Sequence, residues 1–145
     1  LWTQKPSAPA QNAETWTASP RKDLVIGKDE FLKLAKDAKG RLDKRIHIID
    51  VRSEAEYFHR DSRKAKSPPI DLNTIHIEWK EFYTAQGRPN VALRKKLESV
   101  NVHAGDRVIL VSEKGVRSSA AAHALMALGY RRVQNFVAGW RVLSR

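Results

Sequence analysis

The stretch Val108-Ile109-Leu110-Val111-Ser112-Glu113-Lys114-Gly115-Val116-Arg117 lies directly before an alanine-rich segment, Ser118 to Leu128. Its four leading apolar residues predict a buried strand, and the alanine-rich segment predicts a helix. A loop at such a junction turns its backbone N–H groups toward a concavity, and the positive end of the helix dipole points the same way. The junction therefore predicts an anion-binding loop over residues 112–117.

The side chains of this loop modify that prediction. Arg117 and Lys114 are expected to add cationic donors, and Gly115 stands where the chain must curl tightly or adopt a positive φ. Glu113 places a carboxylate beside the amides, which weakens anion binding unless this side chain points outward. Arg117 could instead pair with an acidic neighbour, and Lys114 could be an ordinary solvated charge.

Length and composition limit the class of protein. The chain has 145 residues, enough for one domain, and contains no cysteine. The lack of cysteine excludes disulfides, thiolate chemistry and cysteine-based metal sites. We expect no cofactor and no metal. No apolar run reaches the length of about 20 residues that a membrane helix needs, and no segment of this sequence has the pattern of a signal peptide.

The formal net charge is +11 at pH 7, which favours acidic partners such as nucleic acid, anionic lipid or an acidic protein. The basic residues are scattered among acidic ones, and no nucleic-acid-binding motif is present. A soluble basic protein is therefore a better interpretation than a nucleic-acid-binding domain.

Residues 1–22 form a segment rich in Ala, Ser, Thr, Gln and Pro, which predicts an N-terminal arm or linker before a domain at 23–145. Trp2 and Trp16 are unusual in a solvated linker, and we expect them to anchor the arm to its own domain or, preferably, to a protein partner. The basic loop 60–73 is a solvated insertion or a second contact surface for an acidic partner. The chain begins at Leu1, which predicts a processed product or fragment, and this favours an exported or membrane-tethered domain.

Short apolar runs alternate with helical patterns along the domain. We predict five strands, at 24–26, 46–51, 74–77, 107–111 and 133–137. Right-handed crossovers then give an α/β fold with a parallel five-stranded sheet and helices on both faces. Ser53 and Glu56 have the spacing of a capping box. A later helix, capped by Asn90, is predicted to turn Val91, Leu93, Leu97 and Val100 inward.

Three motifs, in this order and spacing, resemble the rhodanese-like family from about Leu24 to Arg145. They are Asp50-Val51-Arg52 after the second strand, the loop Ser112–Arg117, and the tail with Gly129-Tyr130 and Gly139-Trp140. The family carries Cys-x-x-Gly-x-Arg in its active-site loop, and Ser112 stands at the position of that catalytic cysteine. Phosphatases with a related fold have a longer loop, so a phosphatase pocket is not expected.

The resemblance implies an enzyme that moves a sulfane sulfur through a persulfide on the loop cysteine. A serine hydroxyl is far less acidic than a thiol and forms no persulfide, so we predict that this chain does not transfer sulfur. Ser112 and Arg117 occupy the family's catalytic positions, and Asp50 and Arg52 are expected to support the strand end. The anion-binding loop is assigned to Glu113, Lys114, Gly115, Val116, Arg117 and Ser118.

A serine nucleophile would require an adjacent base. The sequence has five histidines, and no motif places any of them beside Ser112: His47, His59, His76, His103 and His123. Three functions therefore stay open. The first is a non-catalytic module that binds an anion or a protein, the second a thiosulfate sulfurtransferase with an engineered Cys-to-Ser change at 112, and the third a basic nucleic-acid-binding domain.

Overall fold

A computed structural model of the chain describes residues 24–38, 43–57 and 74–143. The predictions for the arm 1–22, with Trp2 and Trp16, and for the basic loop 60–73 lie outside the described residues. The same is true of His59.

The described residues form one five-stranded sheet in which every pairing is parallel, in the order β1-β5-β4-β2-β3. The α/β fold predicted from alternating apolar and helical segments is confirmed. The strands are β1 (Val25–Ile26), β2 (Ile46–Asp50), β3 (Ile75–His76), β4 (Arg107–Val111) and β5 (Arg132–Phe136). Strand β4 is central, and its residues are buried from Val108 onward because helices cover both faces of the sheet.

Helices connect the strands and pack on both faces. They are α1 (Lys28–Ala38), α2 (Glu54–Tyr57), a 3-10 helix (Trp79–Phe82), α3 (Ala92–Ser99), α4 (Val116–Ala127) and α5 (Trp140–Leu143). On one face, Phe31 of α1 stacks on Phe136 of β5 with ring centroids 4.3 Å apart, and Trp140 meets Phe31 edge-on at 5.7 Å. On the other face, the small buried residues Ala121 and Ala124 let α4 lie close to the sheet.

Two apolar residues at the ends of α3 do not face the core. Leu93 and Leu97, four positions apart, are buried, as predicted. Val91 and Val100 were expected inward, but they are 73% and 44% exposed. The prediction was wrong because the helix covers only Ala92–Ser99, so both valines lie outside its regular turns.

The topology brings three segments to the carboxyl edge of the sheet, where α/β proteins commonly place their sites. These segments are residues 51–53 after β2, residues 112–115 after β4 and residues 137–139 after β5. The last two segments contact each other at Gly115 and Gly139, which have φ of 87° and 73°. A β-carbon on Gly115 would clash with the carbonyl oxygen of Val137, and one on Gly139 would clash with that of Glu113.

We predict that Gly115→Ala destabilises the protein more than Gly87→Ala does. Gly87 also has a positive φ, of 80°, but nothing lies within 4 Å of its missing β-carbon. The control therefore measures backbone strain alone, about 1 kcal/mol. Gly115→Ala adds a collision with rigid backbone, so its cost in unfolding free energy, measured by urea denaturation, should exceed that of the control by at least about 1 kcal/mol. Equal costs would contradict this packing.

Candidate functional site

Ser112 lies at the base of the loop that follows β4, and only 1% of its surface is exposed. Its Oγ accepts hydrogen bonds from two backbone amides, at 3.0 Å from the N of Gly115 and 3.3 Å from the N of Ser118. Gly115 can turn its amide inward because it adopts the left-handed conformation that glycine tolerates. The loop thus curls around the side-chain oxygen of Ser112.

A chain of side-chain hydrogen bonds fixes where the proton of Ser112 points. Asn135 Nδ2 donates to the carbonyl oxygen of Gly115 at 3.1 Å, which orients the amide so that its Oδ1 accepts the hydroxyl proton of Ser118. The Oγ of Ser118 is then left as an acceptor, 2.9 Å from the Oγ of Ser112. The hydroxyl of Ser112 therefore donates to Ser118, and its remaining acceptor capacity is used by amides.

None of the four described histidines is hydrogen-bonded to Ser112. His47 bonds to Asp106 at 2.9 Å, His76 to the carbonyl oxygen of Arg52 at 2.8 Å, and His123 to its own helix. Because a serine nucleophile needs a base at hydrogen-bonding distance, these contacts provide no hydrolase mechanism.

Arg117, in the first turn of α4, is held in a bidentate ion pair with Glu56. Its two terminal nitrogens lie 2.7 and 3.0 Å from the carboxylate oxygens of Glu56. These hydrogen bonds from Arg117 lower the pKa of Glu56 to about 2; partial burial opposes the shift, and hydrogen bonds from Ser53 reinforce it. Glu56 also completes the predicted capping box with Ser53 at the start of α2.

Asp50 and Arg52 form a buried ion pair where β2 ends. Arg52 donates to the Asp50 carboxylate from its backbone N, Nε and Nη2 at 2.8 to 3.0 Å. Trp140 Nε1 adds a fourth donor at 2.7 Å. On its other side, Arg52 Nη1 lies 3.6 Å from the carboxylate of Glu113. This network ties the end of β2 to α5 and to the loop.

The charges around the loop largely compensate one another. Arg52 faces Asp50 and Glu113, and Arg117 faces Glu56, so Lys114 is the loop cation that has no carboxylate partner among the described residues. Lys114 is exposed. Four backbone N–H groups of the loop have no hydrogen-bond acceptor among the described residues. They belong to Glu113, Lys114, Val116 and Arg117.

Two large apolar side chains flank this loop at the surface. Val116 is 74% exposed and Val137 is 46% exposed. Val116 follows Gly115 in the chain, and the backbone of Val137 lies against Gly115. The described ranges contain no cluster of three or more metal-ligating side chains. Within those ranges there is likewise no helix with the length and apolarity to span a bilayer.

Comparison with known proteins adds the family to this geometry. The family model described as "Rhodanese-like domain" matches residues 34–144. The chain belongs to the rhodanese-like domain family. No curated protein sequence matches the chain. The resemblance found in its motifs is thus confirmed at the level of the family and its fold. The correspondence of Ser112 to the family cysteine, and the site roles assigned to the loop residues, stay predictions.

Several solved structures share the rhodanese-like fold. An anaerobic ergothioneine biosynthesis enzyme from Chlorobium limicola, in complex with trimethyl histidine, superposes with a TM-score of 0.66 at 16% identity, over 83% of this chain and 30% of that one. Wild-type EanB gives 0.65 at 16% identity, over 84% and 30%. The chain therefore spans less than a third of these two proteins. The human single-domain sulfurtransferase TSTD1 gives 0.53 at 18% identity, over 81% and 91%.

Sequence reasoning missed two residues of this site. It predicted Glu56 as a helix cap but not as the partner of Arg117, which is 61 positions away. Asn135 was not singled out, yet it bonds to both Ser118 and Gly115. A polar residue inside the predicted buried strand 133–137 was the available signal, because buried amides need partners.

We predict that Glu56→Gln lowers stability at neutral pH and that the difference disappears in acid. Glutamine can preserve the capping box, so the substitution removes the charge and one of the two oxygens that accept from Arg117. Because the folded pKa of Glu56 is depressed from 4.5 to about 2, its contribution is complete above pH 4.5 and is lost as pH falls toward 2. Urea unfolding should show a deficit of roughly 1 kcal/mol at pH 7 that closes across this range.

The matched control for this measurement is Glu98→Gln. Glu98 is exposed on α3 and forms no ion pair within the described residues. The Glu98→Gln substitution should leave the unfolding free energy unchanged both at pH 7 and near pH 2. A deficit of the Glu56→Gln variant that persists undiminished near pH 2 would contradict the assignment.

Proposed function

We propose that the chain is a non-catalytic rhodanese-like module whose loop 112–117 binds an acidic group of a protein partner. The hydrogen-bond chain around Ser112 carries this proposal. It satisfies the Oγ of Ser112 with two amides and directs its proton to Ser118. The residue is therefore held as a structural element at the position that the resemblance assigns to the family's nucleophile.

The chemistry of oxygen supports the lack of sulfur transfer. Transfer through a persulfide requires a thiolate, which a cysteine supplies near neutral pH when a helix N-terminus and amides stabilise it. The 145 residues contain no cysteine, so no other side chain could replace Ser112 in this role. Among the residues that the structure describes, no histidine is hydrogen-bonded to Ser112 to make it an alternative nucleophile.

The surface of the loop supports an acidic ligand with an apolar neighbour. Lys114 and the amides without acceptors offer donors to a carboxylate. Arg117 and Arg52 are already compensated by carboxylates, so a small free anion meets only a modest positive potential. The exposed Val116 and Val137 add apolar area that an anion cannot use. A peptide segment with an acidic residue beside an apolar one uses both features.

A sulfurtransferase with a replaced cysteine is the second candidate. One observation favours it: the amides of Gly115 and Ser118 both converge on the Oγ of Ser112, which is the arrangement that a thiolate requires. The structural likeness to the sulfurtransferase TSTD1 agrees with it at the level of the fold. The codon at position 112 of the encoding gene separates a native serine from an engineered one.

We predict that Ser112→Cys, incubated with thiosulfate and then cyanide, produces no thiocyanate above the level of Ser112→Ala. The reason is that Glu56 neutralises the cation that a thiosulfate dianion would need. Intact-mass spectrometry of the thiosulfate-treated variant should likewise detect no added sulfur. Sustained transfer by Ser112→Cys would contradict the non-catalytic module and support the second candidate.

Binding at the loop is tested with a blocked Asp-Leu dipeptide as the probe. Backbone amide signals of residues 112–118 should shift on titration in an NMR experiment at fixed ionic strength, and Lys114→Ala should weaken binding about threefold by removing one exposed charge contact. Sodium acetate at the same concentration should bind more weakly, because it lacks the apolar side chain.

The control variant is Lys95→Ala. Lys95 is exposed on α3. Its neighbour Arg94 approaches Gly129, which follows the C-terminal end of α4, whereas the loop 112–117 lies at the N-terminal end. Since α4 has 12 residues and spans about 18 Å, Lys95 is remote from the loop. Equal weakening by both variants, or shifts that avoid residues 112–118, would overturn the proposed binding role.

A further inference from the structure

A second group of cations lies at the opposite, amino-terminal edge of the sheet. Arg45 precedes β2 and Arg131 precedes β5, and both side chains extend toward Gly105 in the turn before β4. A β-carbon on Gly105 would lie 3.2 Å from Nη2 of Arg131 and 3.7 Å from Nη2 of Arg45. The two guanidinium groups therefore converge on one point at the protein surface, where both residues are exposed.

A buried carboxylate contacts the side chain of Arg45. Asp106 is 3% exposed, and its Oδ1 lies 3.4 Å from the Nε of Arg45. The other oxygen of Asp106 accepts hydrogen bonds from His47 Nε2 at 2.9 Å and from the backbone N of His103 at 3.1 Å. Asp106 thus engages Arg45 through Nε and leaves its terminal nitrogens available at the surface.

The positive charge at this point is only partly compensated by the surrounding residues: Asp106 contacts Arg45, and Asp43 accepts a hydrogen bond from the backbone N of Arg45 at 2.8 Å. Arg131 has no carboxylate partner among the described residues, and Asp106 is shared between Arg45 and His47. Arg132, the next residue, also lacks a carboxylate partner in the described part of the chain, whereas Arg107 in register with it reaches Glu30 at 3.5 Å. Asp106 offsets part of the charge of Arg45 and no described carboxylate pairs with Arg131, so the two guanidinium groups still repel each other. An anion between them would reduce that repulsion.

We propose that Arg45 and Arg131 form a binding site for a phosphate dianion, either free phosphate or a phosphate monoester, above Gly105. A guanidinium presents paired N–H donors in a planar fork that matches two oxygens of a phosphate. Two such forks around one point engage different oxygens of the same group. The site is independent of the loop 112–117, which lies at the other edge of the sheet.

Gly105 keeps the space between the two forks open. Its φ does not lie in the left-handed region, so the backbone here does not demand glycine. Alanine at this position would place a methyl group in the space assigned to the phosphate. Its nearest neighbour would be the flexible end of Arg131, which can move aside, so the fold should tolerate the substitution.

The test compares Gly105→Ala with Gly27→Ala, an exposed glycine that also has no positive φ and nothing within 4 Å of its missing β-carbon. The probe is inorganic phosphate, titrated at constant ionic strength against chloride and followed by backbone amide NMR. We expect saturable shifts at residues 104–106 and 131, and Gly105→Ala should weaken binding at least fivefold while Gly27→Ala leaves it unchanged. Arg131→Gln should weaken binding to a similar extent.

The source of the phosphate is resolved by two further probes. Ribose 5-phosphate, a monoester, should compete with inorganic phosphate for the site. A short DNA duplex without terminal phosphates should show no binding that depends on Gly105, because its diester groups each carry a single charge. Phosphate affinity that is equal in the wild type and in Gly105→Ala, shifts confined to residues 112–118, or a Gly105-dependent affinity for the duplex alone would overturn the proposal.

Discussion

The loop after β4 and the turn after β5 approach each other so closely that each segment has a glycine where it contacts the backbone of the other. Gly115 lies against the carbonyl group of Val137, and Gly139 lies against that of Glu113. Both glycines have a positive φ, so the backbone curls at the two points where it makes contact. This mutual contact fixes the curvature of residues 112–117, and that curvature turns the amides of Gly115 and Ser118 toward Ser112.

Much of the fold followed from the sequence because its signals are local. Runs such as Val108–Val111 are apolar on both faces, which is typical of a strand buried between helices. The capping box of Ser53 and Glu56 is also a local feature, and the structure has it. The boundary errors at Val91 and Val100 arose because apolar periodicity does not determine where the last helical turn ends.

The electrostatics of the site could not be predicted in the same way. The sequence places Arg117 and Lys114 together in one loop, which suggests a strongly positive pocket. Glu56 reaches Arg117 only because strand order sets β2 beside β4, and this pairing is decided by the whole sheet. The same limit applies to Arg45 and Arg131, which are 86 positions apart and meet because both precede strands that flank β4. A count of cations along the chain therefore overestimates the positive charge of the loop 112–117. It also gives no indication that Arg45 and Arg131 lie close together.

The shape of the loop is by itself weak evidence for catalysis, because the fold uses that shape for another purpose. The carbonyl oxygens of Ser112 and Glu113 accept hydrogen bonds from the backbone N of Trp140 and Arg141, at 2.9 and 3.0 Å, and so satisfy the first amides of α5. Trp140 in turn donates to the buried Asp50. A loop that releases these contacts would leave buried polar groups unpaired, a cost of about 1–3 kcal/mol for each group. Packing therefore preserves the curl of residues 112–117 whether or not a thiol is present, and the activity must be judged from the atom at position 112 and from the charge that surrounds it.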